Sequence, residues 1–564
     1  MSEFLPTSRS RRELLKAMAV AVGASILPLG KAKSASLARY RRVNVSNPQL
    51  SSRILASYKK AIRAMLALPA DDPRNWYRHA LIHTMDCPHG NWWFLPWHRA
   101  YLGWFEQICR ELSADPDFTL PYWDWTADPR IPDAMFDDVL DPNNPAFIAT
   151  RSGFENKIRV AISNAGYWSE ANGTFNPRSQ YGQLLSRMIR FPDDLWFDVV
   201  QNPMGSFFYE QPNTRGLTRQ APELNANTKY AVSFKTLYPA LAAKDFTTFG
   251  SLKSASHSGP TGSGILENQP HNLIHNCIGT RTCNLVDSDG FMVDLMSPTD
   301  PIFFLHHANI DRLWDVWTRK QAIRGLPTLP DGISLKTTLP DNEKTVAERN
   351  TDYYRWAREP FLFFVDAKGK TVTKTRTGDY ETIGDFDYDY QPGAGEDVVA
   401  IPAAAKIAPL PPRVFAAIVE NRAISAGSPG SASVRLPANI LVRTDVRRDE
   451  ALVAKITMSL PPWTHEVYVV VLNGAPNTAA VQPDSPHYAG ILSMFGHHVM
   501  PGPYTFSIPI SDPISRLRTM NLLNADGMVS FRIVPFAAAR GVANVHEHNE
   551  QFGAVLTSVV IESY

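Results

Sequence analysis

From residue 51 to about 125, apolar side chains return every three to four positions with few helix breakers. Tyr58, Ile62, Met65 and Leu66 form one stripe, and Tyr101, Trp104, Phe105 and Ile108 form another. That spacing predicts amphipathic helices that bury one face. Between 126 and 263 short helical patterns alternate with Pro, Asn and Gly, ending in a Gly/Ser-rich stretch at 250–264. Such composition reads as an exposed, mobile loop. Helical periodicity returns at 270–277 and 299–323, where Asp300 before Pro301 suits a capped helix start with proline in the first turn. The pattern then changes. Residues 392–412 are rich in Pro, Ala and Gly and read as a linker. Beyond them, β-branched and aromatic runs at 465–472, 504–510, 528–534 and 555–561 are separated by turn residues. These runs predict an antiparallel β-sandwich. No internal repeat marks a solenoid.

Composition adds exclusions. The 564 residues are 44% apolar and 20% charged, which excludes a disordered, collagen-like or coiled-coil chain. Lys+Arg 56 against Asp+Glu 55 gives a net charge of +1. Without a long charge run there is no electrostatic footprint for nucleic acid. Four cysteines cannot make a disulfide scaffold in a chain of this length. At the N-terminus Ser10-Arg11-Arg12 precedes an apolar run at 17–30, with small residues near Ala32, Ser34 and Ala35. Residues 1–35 therefore read as a twin-arginine export signal, with a periplasmic or extracellular destination. The apolar run is shorter than the ~20 residues that span a bilayer, and no other stretch is long enough, so no membrane span is expected.

Candidate chemistry lies with histidine. Of 15 histidines, nine fall between His79 and His307. One group is His83, His89 and His98; the other is His271, His275 and the pair His306-His307. Four residues separate His271 from His275, which places both on one helix face. His98 and His307 each open an apolar-striped helix that would hold them rigidly. Two sets of three imidazoles without carboxylate ligands suit copper better than calcium or magnesium, and zinc also fits on ligand type alone. A lone histidine in such a helix would more often be structural. Cys277 and Cys283, six apart just after the second group, suggest a disulfide in an exported chain. Cys109 sits in an apolar stripe and reads as packed.

The motifs carry a family resemblance. They are His83…Cys87-Pro88-His89…Phe94-x-Pro96-x-His98-Arg99, then Pro121-Tyr122-Trp123-Asp124-Trp125. They continue as Glu267-x-x-Pro270-His271-x-x-x-His275 and Asp300-Pro301-x-Phe303-Phe304-x-His306-His307-x-Asn309-x-Asp311-Arg312, with Tyr388-Asp389-Tyr390 further on. With these motifs the chain resembles the type-3 copper proteins of the tyrosinase and polyphenol oxidase group, in their plant-type form. The resemblance implies a mainly α catalytic domain at 36–391, a four-helix bundle around a dicopper site. A Pro-rich linker at 392–412 and a C-terminal β-sandwich at 413–564, shielding or structural, would follow.

Residue roles follow from the same resemblance. His83, His89 and His98 become the ligands of one copper ion, and His271, His275 and His307 those of the other. His306 and Phe303 would stand behind the ligands, and His79 is the rival ligand that more simply packs or makes a hydrogen bond. Trp93, Phe94, Phe303 and Phe304 would line the cavity. Glu267 and Asn272 would orient a water that deprotonates the substrate. Asp311 would orient a ligand ring, or else pair with Arg312 at the surface. Asp294, or Leu295 or Met296 beside it, would form a substrate gate. Cys87 and His89 are candidates for a thioether, and Phe495, in the apolar loop 491–496, for a plug over the cavity. The implied activity uses two coppers and O2 to hydroxylate small monophenols and oxidise o-diphenols. The alternatives are a catechol oxidase limited to diphenols and, from another class, a haemocyanin-like oxygen carrier. The oligomeric state, including a homo-oligomer, is left open.

Overall fold

Four longer helices and one broken one carry the helical region. The first, α1 (Pro48–Ala67), starts on a proline and buries Tyr58, Ala61, Ile62 and Met65 completely. It ends at Leu68, held extended before Pro69. Next come α2 (Trp76–Asp86) and α3 (Phe94–Ser113), whose Tyr101, Phe105 and Ile108 are fully buried. The periodic stripes therefore face inward as expected. A π-helical turn, Glu267–His271, runs into α4 (Asn272–Gly279), and α5 spans Ile302–Arg324. The Asp300 carboxylate accepts the Ile302 amide at 3.0 Å and pairs with the fully buried Arg215, which pins the start of α5. Gly325 ends that helix in the left-handed conformation, φ +68°. Phe304 stacks on Phe105 with centroids 3.6 Å apart and locks α5 onto α3.

The computed structural model describes residues 38–563 except 149, 170–175, 201–214, 286–289, 331–350, 401–412, 421–422, 426, 443–450, 462–465, 475–480, 496–501 and 537–552. The segment read as an export signal lies outside the described residues. The described residues from Tyr40 onward form one compact unit. Among the described residues no helix is long and apolar enough to cross a membrane.

A short parallel pair, β1 (Tyr40–Arg42) with β3 (Tyr388–Tyr390), closes the helical region. The rest of the chain is rich in sheet. Its strands are β4 (Arg413–Ala416), β5 (Ile418–Glu420), β6 (Gly430–Arg435), β7 (Leu452–Leu460), β8 (Tyr468–Leu472), β9 (Tyr488–Leu492), β10 (Gly502–Pro509), β11 (Met528–Pro535) and β12 (Val555–Ser563). Together with β2 (Gly262–Ser263) from the helical region, these nine strands form two five-stranded sheets, one ordered β2-β10-β7-β12-β4 and the other β5-β6-β11-β8-β9. Side chains from both sheets, including Ile456, Phe506 and Leu556 from one and Val470, Leu472 and Phe531 from the other, share one apolar cluster. Opposite faces of the same strands, at Val453, Val469, Val471, Tyr488, Ile491 and Val534, belong to the apolar cluster of the helices.

Two expectations change. The Gly/Ser-rich stretch 250–264 is not an exposed loop. Its end forms β2 (Gly262–Ser263), which pairs in parallel with β10, and Ser251, His257 and Ser263 are buried. Its glycine serves close approach, since a Cβ at Gly262 would lie 2.3 Å from the Thr505 carbonyl oxygen. The start of the linker is also part of the fold. The Ala394 amide donates to Asp124 at 2.7 Å, and Val398 is buried. Residues 401–412 of that stretch lie outside the described residues.

Candidate metal centre

His83 sits in the last turn of α2, His89 in the turn after it and His98 near the start of α3. His271 ends the π-helical turn, His275 follows on α4, and His306 and His307 lie in the second turn of α5. All are buried, and they form two groups: His83, Cys87, His89 and His98, and His271, His275, His306 and His307. Within each group the potential donor atoms lie within 4.8 Å of one another. The groups face each other, with the His98 and His307 rings parallel at 4.0 Å and His89 and His271 at 5.7 Å.

Burial fixes the protonation state. It pushes His98 and His275 down to about 3, and lowers His83, His271 and His307 well below the usual histidine value. All five are therefore neutral near pH 7, the form that binds metal. Hydrogen bonds then aim the rings. The Nδ1 atoms of His83, His98 and His275 meet the carbonyl oxygens of Leu295, Phe94 and Met292 at 2.7, 2.8 and 2.8 Å. His271 Nδ1 meets Asn272 Oδ1 at 2.8 Å. Each contact places the proton on Nδ1 and leaves a lone pair on Nε2. The Nε2 atoms of His83 and His271 are buried without a partner, and those of His275 and His307 lie 3.1 Å apart. His307 Nδ1 has no partner, so that separation suits either one N–H···N hydrogen bond or two ligands of one cation. The donor set therefore fits a pair of copper ions.

His306 offers a ring nitrogen to the second group, and neither of its nitrogens has a hydrogen-bond partner; its ring lies 5.1 Å from His275 and 6.4 Å from Trp125. His79 joins neither group. It stacks on Tyr101 at 4.8 Å, with no partner for either nitrogen, so it packs and does not hydrogen-bond. Cys87 Sγ lies 3.7 Å from His89 Nε2 and 3.4 Å from His98 Nε2, a buried thiol within reach of both rings. Cys277 and Cys283 are joined in a disulfide, and Cys109 is a buried free thiol.

The walls differ partly from expectation. Phe94 touches His98 and His271 at 4.8 and 4.7 Å, and Phe303 touches His307 and His83 at 4.2 and 5.1 Å. Trp93 instead packs on Trp92, and Phe304 sits behind, on Phe105 and Trp76. Trp97 takes the missing place, 5.1 Å from His98 and 5.8 Å from His83. Its position immediately before His98 was the available signal. The carbonyls of Met292 and Leu295 were also missed, because backbone groups leave no trace in residue identity.

Glu267 is buried under the site. Its carboxylate accepts the Gly90 amide at 2.7 Å and the Ser251 hydroxyl at 2.5 Å, and burial raises it to about 8. Gly90 is confined to glycine by φ +63° and by the Tyr504 ring, 2.7 Å from where a Cβ would stand. Asp294 is buried, one oxygen accepting the Met296 amide at 3.2 Å. Asp311 does not orient a ligand ring and is not at the surface. Its carboxylate binds Arg99 at 2.7 Å, Arg42 at 3.4 Å and the hydroxyls of Tyr388 and Tyr390, because β1 and β3 cross α5 there. Arg312 instead donates to Asn309 at 2.8 Å. Phe495 reaches the centre. Its ring lies 4.1 Å from His275, 4.8 Å from His89, 5.7 Å from His271 and 6.1 Å from His83.

Comparison with known proteins places this arrangement. Residues 73–320 match the model for the common central domain of tyrosinase. The (+)-larreatricin hydroxylase of Larrea tridentata is 29% identical over 279 residues, 47% of this chain and 38% of that protein. The polyphenol oxidase of Vitis vinifera is 27% identical over 357 residues, 61% of this chain and 46% of its own. The chain thus spans about half, or less, of the length of the curated relatives it matches. A solved structure of latent aurone synthase, a polyphenol oxidase, shares the fold with TM-score 0.54 and 19% identity, over 96% of this chain and 92% of that one. Both curated relatives are described as chloroplastic, which lends no support to a periplasmic or extracellular destination.

Proposed function

We propose, from the premise that the chain belongs to the type-3 copper family of tyrosinases and polyphenol oxidases, that it hydroxylates monophenols to o-diphenols and oxidises o-diphenols to o-quinones with O2. The observation that carries this reading is the pair of buried, neutral imidazole groups with Nε2 lone pairs converging on one centre. His83, His89 and His98 would hold one copper and His271, His275 and His307 the other, with His306 behind them. A copper pair supplies reversible two-electron exchange with dioxygen. The chain supplies the rest. Phe94, Phe303 and Trp97 hold the ligand rings and keep water out, which strengthens every polar contact inside.

A phenol's pKa of about 10 makes deprotonation the obstacle to monophenol chemistry. Glu267, raised to about 8, keeps its proton near pH 7 and becomes a base as pH rises toward that value, and with Asn272 it would hold the water that takes the proton. The alternative, a catechol oxidase, has no need of that pair. Asp294 would select among substrates, and Asp294→Asn would then weaken discrimination between tyramine and phenolic acids. We read 36–391 as the catalytic domain, with α1, α3, α4 and α5 as its bundle. We read 413–564 as a β-sandwich that shields the centre with Phe495. Residues 1–35 are read as a twin-arginine signal; a reporter fused behind them that stays inside the cell rejects that reading.

The direct test is copper titration of the full chain with oxygen uptake on a catechol and on tyrosine. Two coppers should bind per chain, and uptake should appear on loading and rise in Phe495→Gly. Two bound coppers without turnover in Phe495→Gly would favour a reversible oxygen carrier.

A further inference from the structure

The helical stretch that carries His271 and His275 also carries four side-chain amides: Asn268, Gln269, Asn272 and Asn276. All four bind one short segment of the sheet region. Asn268 Oδ1 accepts the Ser493 amide at 3.1 Å, and its Nδ2 reaches the carbonyl oxygens of Ile491 and Ser507 at 3.4 Å each. Gln269 donates to the Ile491 carbonyl. Asn276 Nδ2 donates to Ser493 Oγ at 2.7 Å and to the Met494 carbonyl at 3.3 Å. Asn272 is engaged on both sides, with Oδ1 on His271 Nδ1 at 2.8 Å and Nδ2 on the Ser493 carbonyl at 2.6 Å. Ser493 and Phe495 are both buried.

We propose that residues 491–495 close the centre at two separate points. The Phe495 ring takes the space of a phenol ring. The Ser493 carbonyl, whose residue is clamped by Asn268 and Asn276, takes one of the two Asn272 amide hydrogens, the one we assign to the deprotonating water. This rests on the reading of Asn272 given above. A ring filling space blocks both phenol classes alike, whereas a carbonyl on Asn272 blocks only the substrate that must lose a proton to that water. The clamp is therefore a specificity device. Emptying the ring space alone opens diphenol oxidation and leaves monophenol hydroxylation closed. Releasing the clamp as well opens both. The bonds that hold it are uncharged, and each lost one carries the modest weight of an amide hydrogen bond.

The test uses the copper-loaded full chain in four forms: unaltered, Phe495→Gly, Asn268→Ala/Asn276→Ala, and the triple variant. Phe495→Gly should raise diphenol turnover about tenfold while monophenol turnover stays flat, so that the monophenol-to-diphenol ratio falls about tenfold, and the triple variant should restore that ratio. In the copper-free chain, hydrogen exchange at the Ser493 amide should stay slow in Phe495→Gly and quicken about tenfold in the clamp pair. Asn268→Ala alone, with copper content unchanged, should raise the ratio, which covers the case in which the double variant folds poorly. If Phe495→Gly raises both activities equally and the clamp substitutions add nothing, the two-point closure is wrong while the oxidase reading stands. If no variant with two coppers oxidises a diphenol, the oxidase reading fails instead.

Discussion

His306 and His307 are sequence neighbours whose rings have different surroundings. His307 lies flat against His98 across the centre, and its Nε2 meets that of His275, whereas His306 stacks on His271 at 5.4 Å with Trp125 at 6.4 Å on its other flank. Successive residues on a helix point ~100° apart, so both cannot serve the same centre equally. His307→Ala should lose one copper per chain, and His306→Ala should retain more metal; the reverse order in metal analysis would overturn the assignment. His257 offers a test of another kind. Burial lowers its affinity for a proton, but Asp86 at 3.0 Å and Glu359 at 2.6 Å outweigh that, and the net shift is upward. A raised folded-state value stabilises the fold fully below histidine's ordinary ~6.5, and this stabilisation is lost as pH rises through the folded value. His257→Gln, which removes the positive charge shared by the two carboxylates, should therefore cost up to about 3–5 kcal/mol at pH 6 and less at higher pH. A stability gap that does not narrow with rising pH in denaturant titrations would contradict this.

At the scale of elements, α5 begins on a buried ion pair. Asp300 and Arg215 are both fully buried, and Asp300 also accepts the Ile302 amide. Asp300→Asn should leave Arg215 buried without its counter-charge and cost about 3–5 kcal/mol, readable as a lower denaturant midpoint with unchanged slope. The proline and acid at 300–301 marked this start in the sequence, but the partner at Arg215 did not, because long-range pairing has no local periodicity. The same contrast runs through the molecule. The stripes of α1 and α3 and the spacing of His83, His89 and His98 were readable because one helix or turn generates them. The stretch 250–264 misled because glycine and serine there allow close backbone approach to β10 and a hydroxyl to Glu267, not motion. Asp311 misled because its partners, Arg42, Tyr388 and Tyr390, come from β1 and β3, far away in the chain. Phe495 was identified only as the bulky residue of an apolar loop, and its four histidine neighbours come from two other segments.

At the scale of the molecule, the sheet region is packed onto the helices at several places. The outer sides of several strands share the apolar cluster of the helices, β10 pairs with β2, and four amides grip 491–494. A protease cut within 401–412 should therefore raise activity on phenols only when the fragments part, and copper should remain with the histidines. If the sheet fragment is removed and activity stays flat or falls with copper retained, the region is structural and not a shield.

The joint formed by β2 and β10 has a kinetic consequence as well. On the shielding role proposed for 413–564, that region acts in the intact chain at the effective concentration set by its tether, on the order of millimolar for a short tether. After a cut it becomes a free ligand, and occupancy depends on how much total protein there is. Latency in the nicked enzyme should then vanish on dilution and return on concentration, with a lag set by the dissociation rate of the fragment. Specific activity that is independent of enzyme concentration after nicking would mean that the tether contributes nothing to closure.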